Sequence, residues 1–160
     1  METKEAVKTH FLHPGGIFAD KSECLVTTIL GSCVSVCLLD PVLKISGINH
    51  YMLALWNGEG LPSPRYGNIA ITKLIEKMLG LGSKKQDLRA KVFGGASLIQ
   101  SSSGFLNIGK RNILIAEDML RDENIQIISR DVEGNAGRKL ILNTKTGSVL
   151  LKKVIKKQIR

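Results

Sequence analysis

The chain is predicted to fold as a strand-rich α+β domain. Three observations carry this: runs of Val, Ile, Leu and Thr broken by turn residues outnumber the helical stretches, only two segments offer a helix, and the regular strand and helix alternation of a doubly wound parallel sheet is absent. With 160 residues and no internal repeat or low-complexity segment, one domain over 1–160 is expected. That length buries a sizeable core without metal or disulfide staples.

From Cys24 to Leu39 the chain is apolar and β-branched, interrupted only at Gly31-Ser32, which predicts two strands with a turn or bend between them. Asp40-Pro41 ends the second, and a third strand is predicted over Ile45 to Leu55 with His50 near its middle. The polar loop Asn57 to Pro64 is long enough to border a site. Ile71, Leu74, Ile75, Met78 and Leu79 recur at the helical period and place a helix over Asn68 to Leu79, stopped by Gly80 and Gly82. Ala90 to Phe93 reads as a short strand, Asn112 to Asp122 as a second helix and Ile125 to Val132 as a strand. Lys139 to Asn143, the turn Thr144 to Gly147 and Ser148 to Val154 predict a closing hairpin.

Charge and composition exclude several classes of function. No stretch is apolar enough for a membrane helix, and Met1 to Glu5 lack the start of a signal peptide, so a cytoplasmic protein with no membrane insertion is expected. The formal net charge of +9 sits in the second half, where residues 81–160 hold 16 basic and 7 acidic residues against 7 and 7 in residues 1–80. Lys152, Lys153, Lys156, Lys157 and Arg160 have no acidic neighbour in sequence, a pattern that suits an anionic partner or a solvated tail. Single-strand binders interleave basic residues with stacking aromatics, and this half offers only Phe93 and Phe105, so nucleic acid is not the expected partner.

Three cysteines in a reducing compartment read as thiols. A cysteine in an apolar strand is ordinarily core, which suits Cys37. Cys33 differs because it sits at the Gly31-Ser32 bend, where exposure and backbone amide donors are available. His50 alone would read as a structural histidine, but across neighbouring strands it could deprotonate Cys33. Zinc is disfavoured: Cys33 and Cys37 are spread along a strand and Cys24 has no close partner. Gly80 to Lys85 and Gly94 to Ser97 lack the spacing of phosphate loops. No metal or cofactor is expected.

The blocks Thr27 to Asp40, Gly47 to Leu53, Ala90 to Ala96, Asn107 to Ile113 and Asp131 to Arg138 together resemble the CheD family of chemoreceptor glutamine deamidases, in order along nearly the whole chain. The resemblance implies a catalytic triad of Cys33, His50 and Thr27, with Thr27 orienting the histidine or the substrate. It implies a fold similar to toxin-type cysteine deamidases, with a central mixed, mostly antiparallel sheet layer and helices outside. It further implies hydrolysis of receptor glutamines to glutamate through a Cys33 thioester, and chemoreceptor cytoplasmic helices, rich in Glu and Gln, as the substrate. Receptor methyl-ester hydrolysis is chemistry that the same site would permit. The alternative it carries is a regulatory binding module that complexes the chemotaxis phosphatase CheC. Ala54 and Glu133 depart from the family pattern, which often has proline and glycine at these places.

Overall fold

Alternation of buried and exposed residues marks Cys24–Leu30 as a strand with one face on a core and one toward solvent, whereas Val34–Asp40 is apolar enough to be covered on both faces. The computed structural model, which describes residues 6–97 and 107–154, places these two strands in different sheets. Gly31-Ser32-Cys33 is therefore a crossing from one layer to the next, not a hairpin turn.

In chain order the elements are β1 (Lys8–Phe11), β2 (Ile17–Asp20), β3 (Cys24–Leu30), β4 (Val34–Asp40), β5 (Ile45–Asn49), α1 (Gly67–Gly80), a single 3-10 turn (Lys85–Asp87), β6 (Arg89–Gly94), α2 (Ile108–Asp122), β7 (Gln126–Val132), β8 (Gly137–Asn143) and β9 (Val149–Val154). One sheet has the order β1-β3-β8-β9, the other β2-β5-β4-β6-β7. Each is mixed: β1–β3 and β6–β7 are parallel and every other pairing is antiparallel. The expected α+β class and mostly antiparallel central sheet are observed.

Side-chain parity along β4 defines three layers. Val34, Val36 and Leu38 join the core formed with Ala70, Ile71, Leu74, Met78, Ile113, Ala116 and Leu120 of the two helices. Cys33 and Cys37 face the opposite way, into a second core shared with Val26, Leu30, Leu140 and Leu142 of the other sheet. The five-stranded sheet is thus the middle layer, with both helices on one face and the four-stranded sheet on the other.

Three expectations needed adjustment. The strand carrying His50 ends at Asn49, so His50 lies just past it and not near its middle. Helix α2 begins four residues before the predicted start, because the Asn107 side chain caps it by accepting from the Lys110 amide at 3.0 Å. Two short strands, β1 and β2, were not predicted. Of the basic tail, Lys152 and Lys153 lie on β9, where Lys153 has an acidic neighbour in space, Asp131 at 3.7 Å. Lys156, Lys157 and Arg160 lie outside the described residues, as does Phe105.

Candidate active site

Cys33 stands at the layer crossing because the backbone around it is tied to the loop after β6. Its carbonyl accepts from the Gly95 amide at 2.9 Å and that of Gly31 from the Ala96 amide at 3.0 Å. This approach requires a glycine at 94: φ there is +106°, and a Cβ would lie 2.3 Å from the Cys33 carbonyl oxygen. The thiol is left half-buried between the sheets.

His50 enters from the neighbouring strand. Val34 and Tyr51 exchange both backbone hydrogen bonds, at 3.1 and 3.0 Å, continuing the β4–β5 register. That register sets Cys33 opposite Met52 and His50 opposite Ser35, so Cys33 and His50 share one face as diagonal neighbours, within reach of long side chains. The loop between β1 and β2 holds the histidine backbone from the other side. Gly15 donates to the His50 carbonyl at 2.7 Å, and the His50 amide donates to the Gly16 carbonyl at 3.2 Å.

The hydrogen bond to His50, one of the two roles expected of Thr27, is made by Thr28. Thr28 Oγ1 lies 2.7 Å from His50 Nδ1 and donates to the Leu12 carbonyl at 2.8 Å. The reason is strand parity: Cys24, Val26, Thr28 and Leu30 alternate inward along β3, and Thr27 takes the outward face between them. This contact also settles the tautomer. A hydroxyl has one proton, and a carbonyl can only accept, so with that proton on Leu12 the hydrogen shared with His50 belongs to Nδ1. Nε2 then carries the lone pair, and it is buried with no hydrogen-bond partner among the described residues.

Burial sets the protonation states. His50 is only 2% exposed, and desolvation holds its pKa down from the ordinary 6.5 to about 4, so the ring is neutral at pH 7. Burial raises the Cys33 thiol, opposed by the residue's own backbone N–H. The resting pair is therefore thiol and neutral imidazole. Cys37 is fully buried and pushed up to about 12, the behaviour of a core thiol. Cys24 is likewise buried and raised. Among the described residues no three His, Cys, Asp or Glu side chains gather into a metal-binding group.

The amide donors expected around Gly31 to Val34 are narrowed by the structure. The Val34 N–H is engaged by the Tyr51 carbonyl at 3.1 Å and is not available to a substrate. A groove of about 450 Å³ runs between α2 and the segment after His50, lined by Leu53, Leu55, Ile108, Ile115, Arg111 and Asp118; neither Cys33 nor His50 lines it. The loop Asn57 to Pro64, expected to border the site, does not line this groove; the three residues Leu53 to Leu55 do.

The departure at Glu133 has a visible cost. Its φ is +68°, a left-handed conformation that explains why glycine suits this place. The turn is held by Glu133 N–H on the Gly94 carbonyl at 3.1 Å and by Arg138 Nη2 on the Glu133 carbonyl at 2.7 Å. Arg138 is 1% exposed and pairs through Nε with Asp131 at 2.7 Å.

Comparison with known proteins bears on what this arrangement serves. A family model described as CheD chemotactic sensory transduction matches residues 54–153. The chain belongs to the CheD family. Among its relatives, a protein of Trichlorobacter lovleyi is 50% identical over 91% of this chain and 90% of its own length. One of Sulfurimonas denitrificans is 46% identical over 91% and 94%, and one of Anaeromyxobacter dehalogenans 39% identical over 90% and 84%. The first two carry the name "Probable chemoreceptor glutamine deamidase CheD", and the third the same name followed by a 1.

Of the sequence-derived candidates, Cys33 and His50 are brought to one face and Thr27 is turned away. Thr28 was missed. The sequence carries no signal for it, since Leu25 and Ile29 on one parity are as apolar as Val26 and Leu30 on the other. The second missed residue is Asn112, which lies in the Asn107 to Ile113 block but whose contacts no sequence pattern reveals.

Proposed function

We propose that this chain is a chemoreceptor glutamine deamidase in which Cys33 is the nucleophile, His50 its general base and Thr28 the residue that orients the base. The observation that carries the reading is the buried Nε2 lone pair of His50, on the face it shares with Cys33, fixed in that tautomer by Thr28. The names of the relatives supply the substrate, a glutamine side chain on a chemoreceptor.

Nε2 takes the proton of Cys33 as the sulfur attacks the carboxamide carbon, and a C–S bond forms. The developing oxyanion meets the Cys33 N–H, and one such donor typically lowers the barrier by about 3 kcal/mol. Collapse expels the amide nitrogen, which leaves as ammonia after receiving the proton held on His50. Water, deprotonated by the same imidazole, then cleaves the thioester, leaving glutamate on the receptor and the thiol free again. At pH 7 the imidazole is in the neutral form that a base requires, and its depressed pKa makes it a weak base that returns its proton readily to the leaving nitrogen.

The substrate is a helix rich in acidic residues, and two features favour it. Lys139 and Lys152 face each other across β8 and β9, both exposed, so an anionic partner relieves like-charge repulsion. The groove between α2 and residues 53–55 offers largely apolar contact to a helix side. The proposal is tested by ammonia release from a chemoreceptor cytoplasmic fragment. Release that is lost in Cys33→Ala and in His50→Ala supports it, and release that survives both substitutions rejects it.

A further inference from the structure

Helix α2 contributes one polar side chain to the interior next to the site, Asn112, which has no exposed surface. Its Nδ2 lies 3.0 Å from the Ser32 carbonyl and 3.0 Å from the Met52 carbonyl. Both neighbours are acceptors only, so the amide nitrogen must face them and each of its two hydrogens has a partner. Ser32 immediately precedes Cys33, and Met52 is opposite Cys33 in the register and two residues past His50. One side chain therefore ties the peptide before the nucleophile to the strand extension that carries the base.

The tie is anchored at its other end. The Asn112 carbonyl accepts from the hydroxyl of Tyr51, the residue after His50. The first turn of α2 is pressed onto the loop after β6, where a Cβ at Gly109 would lie 2.4 Å from the Gly95 carbonyl oxygen. That loop in turn holds the Cys33 and Gly31 carbonyls. The segments carrying Cys33 and His50 and helix α2 are thus joined by hydrogen bonds, and Asn112 is a side chain bonded to both the Cys33 and the His50 segments.

We infer that Asn112 is a positioning residue for deamidation: through the Ser32 and Met52 carbonyls it sets the separation of Cys33 from His50. The inference rests on the reading of that pair as nucleophile and base. With both Nδ2 hydrogens engaged by backbone carbonyls, Asn112 has no donor left for the substrate carboxamide. Its Oδ1, buried and without a partner among the described residues, shows that the residue is held for its two donors. Aspartate, of the same shape, would remove both donors and set a carboxylate against two carbonyl oxygens.

The test uses Asn112→Asp, with Asn112→Ser as a second variant that keeps one donor and introduces no charge, each checked for cooperative unfolding in urea. With a receptor fragment, kcat is expected to fall about 10- to 100-fold in Asn112→Asp, the loss typical of a misplacement near 1 Å, with KM within about threefold of wild type. Asn112→Ser is expected to lie between Asn112→Asp and wild type. Without any receptor, the pH profile of Cys33 alkylation by iodoacetamide is expected to shift toward that of His50→Ala. A folded Asn112→Asp with kcat within about twofold of wild type, or a reduced kcat with a wild-type alkylation profile, overturns the inference. In the wild-type protein the side-chain amide protons of Asn112 should exchange slowly by NMR, and fast exchange also overturns it, whether or not the variants fold. Wild-type protein that deamidates nothing overturns the deamidase reading instead, and leaves the alkylation and exchange results to judge Asn112.

Discussion

Replacing Thr28 by valine keeps the shape of the side chain and removes one oxygen. That oxygen accepts from His50 Nδ1 at 2.7 Å and donates to the Leu12 carbonyl at 2.8 Å, both in a buried setting. Each of the two groups left without a partner costs about 1–3 kcal/mol, so stability should fall by roughly 2–6 kcal/mol. The catalytic loss has a separate origin. With Nδ1 no longer held as a donor, the ring is free to rotate or to carry its proton on Nε2, and an orienting bond of about 1–2 kcal/mol corresponds to a kcat about 5- to 30-fold lower. Thr27→Val, on the opposite face of the same strand, should alter stability by no more than about 0.5 kcal/mol and kcat by less than about twofold. Steady-state deamidation of a receptor fragment gives kcat and KM, and urea unfolding gives stability. A large kcat loss in Thr27→Val with near-normal turnover in Thr28→Val would refute the strand-parity reasoning and return the orienting role to Thr27.

Other outcomes follow from the same geometry. Because the folded pKa of His50, about 4, lies below its ordinary 6.5, the native state binds fewer protons between these values, and stability from this group is complete above pH 6.5 and lost as pH falls toward 4. Urea unfolding should show up to about 3 kcal/mol of this loss, and His50→Gln should flatten the slope; an unchanged slope would deny that the imidazole is buried neutral. Iodoacetamide should label Cys33 in the native protein while Cys24 and Cys37 react only on unfolding, by peptide mapping; native labelling of Cys37 would contradict its burial. Neutralising Lys139 and Lys152 together should lower kcat/KM at low salt, leave kcat unchanged and weaken the salt dependence, and identical salt profiles would exclude them from substrate attraction.

The sequence made the class and most elements legible because they depend on local periodicity. The first helix and the closing hairpin carry strong patterns, and the observed α1, β8 and β9 lie within two residues of them at each end. Strand β1 escaped because all four of its residues are exposed and it runs along a sheet edge, so no apolar alternation marks it. The Gly31-Ser32 bend was legible, but not that it joins two layers: a glycine-serine break looks the same in a hairpin and in a crossing between sheets. At the site, residue types announced Cys33 and His50, whereas the choice between adjacent threonines depends on strand parity. Asn112 depends on tertiary packing across 60 residues from Met52 and 80 from Ser32, beyond any local signal.

The most direct test of the account is deamidation of a receptor cytoplasmic fragment in heavy-oxygen water, read by peptide mass spectrometry. Every glutamine converted by the wild-type protein should become glutamate carrying solvent oxygen, and Cys33→Ala should convert none. Conversion by Cys33→Ala at the wild-type rate, or a wild-type protein that leaves every glutamine of a matched receptor intact, would contradict the assignment of Cys33 as the deamidating nucleophile.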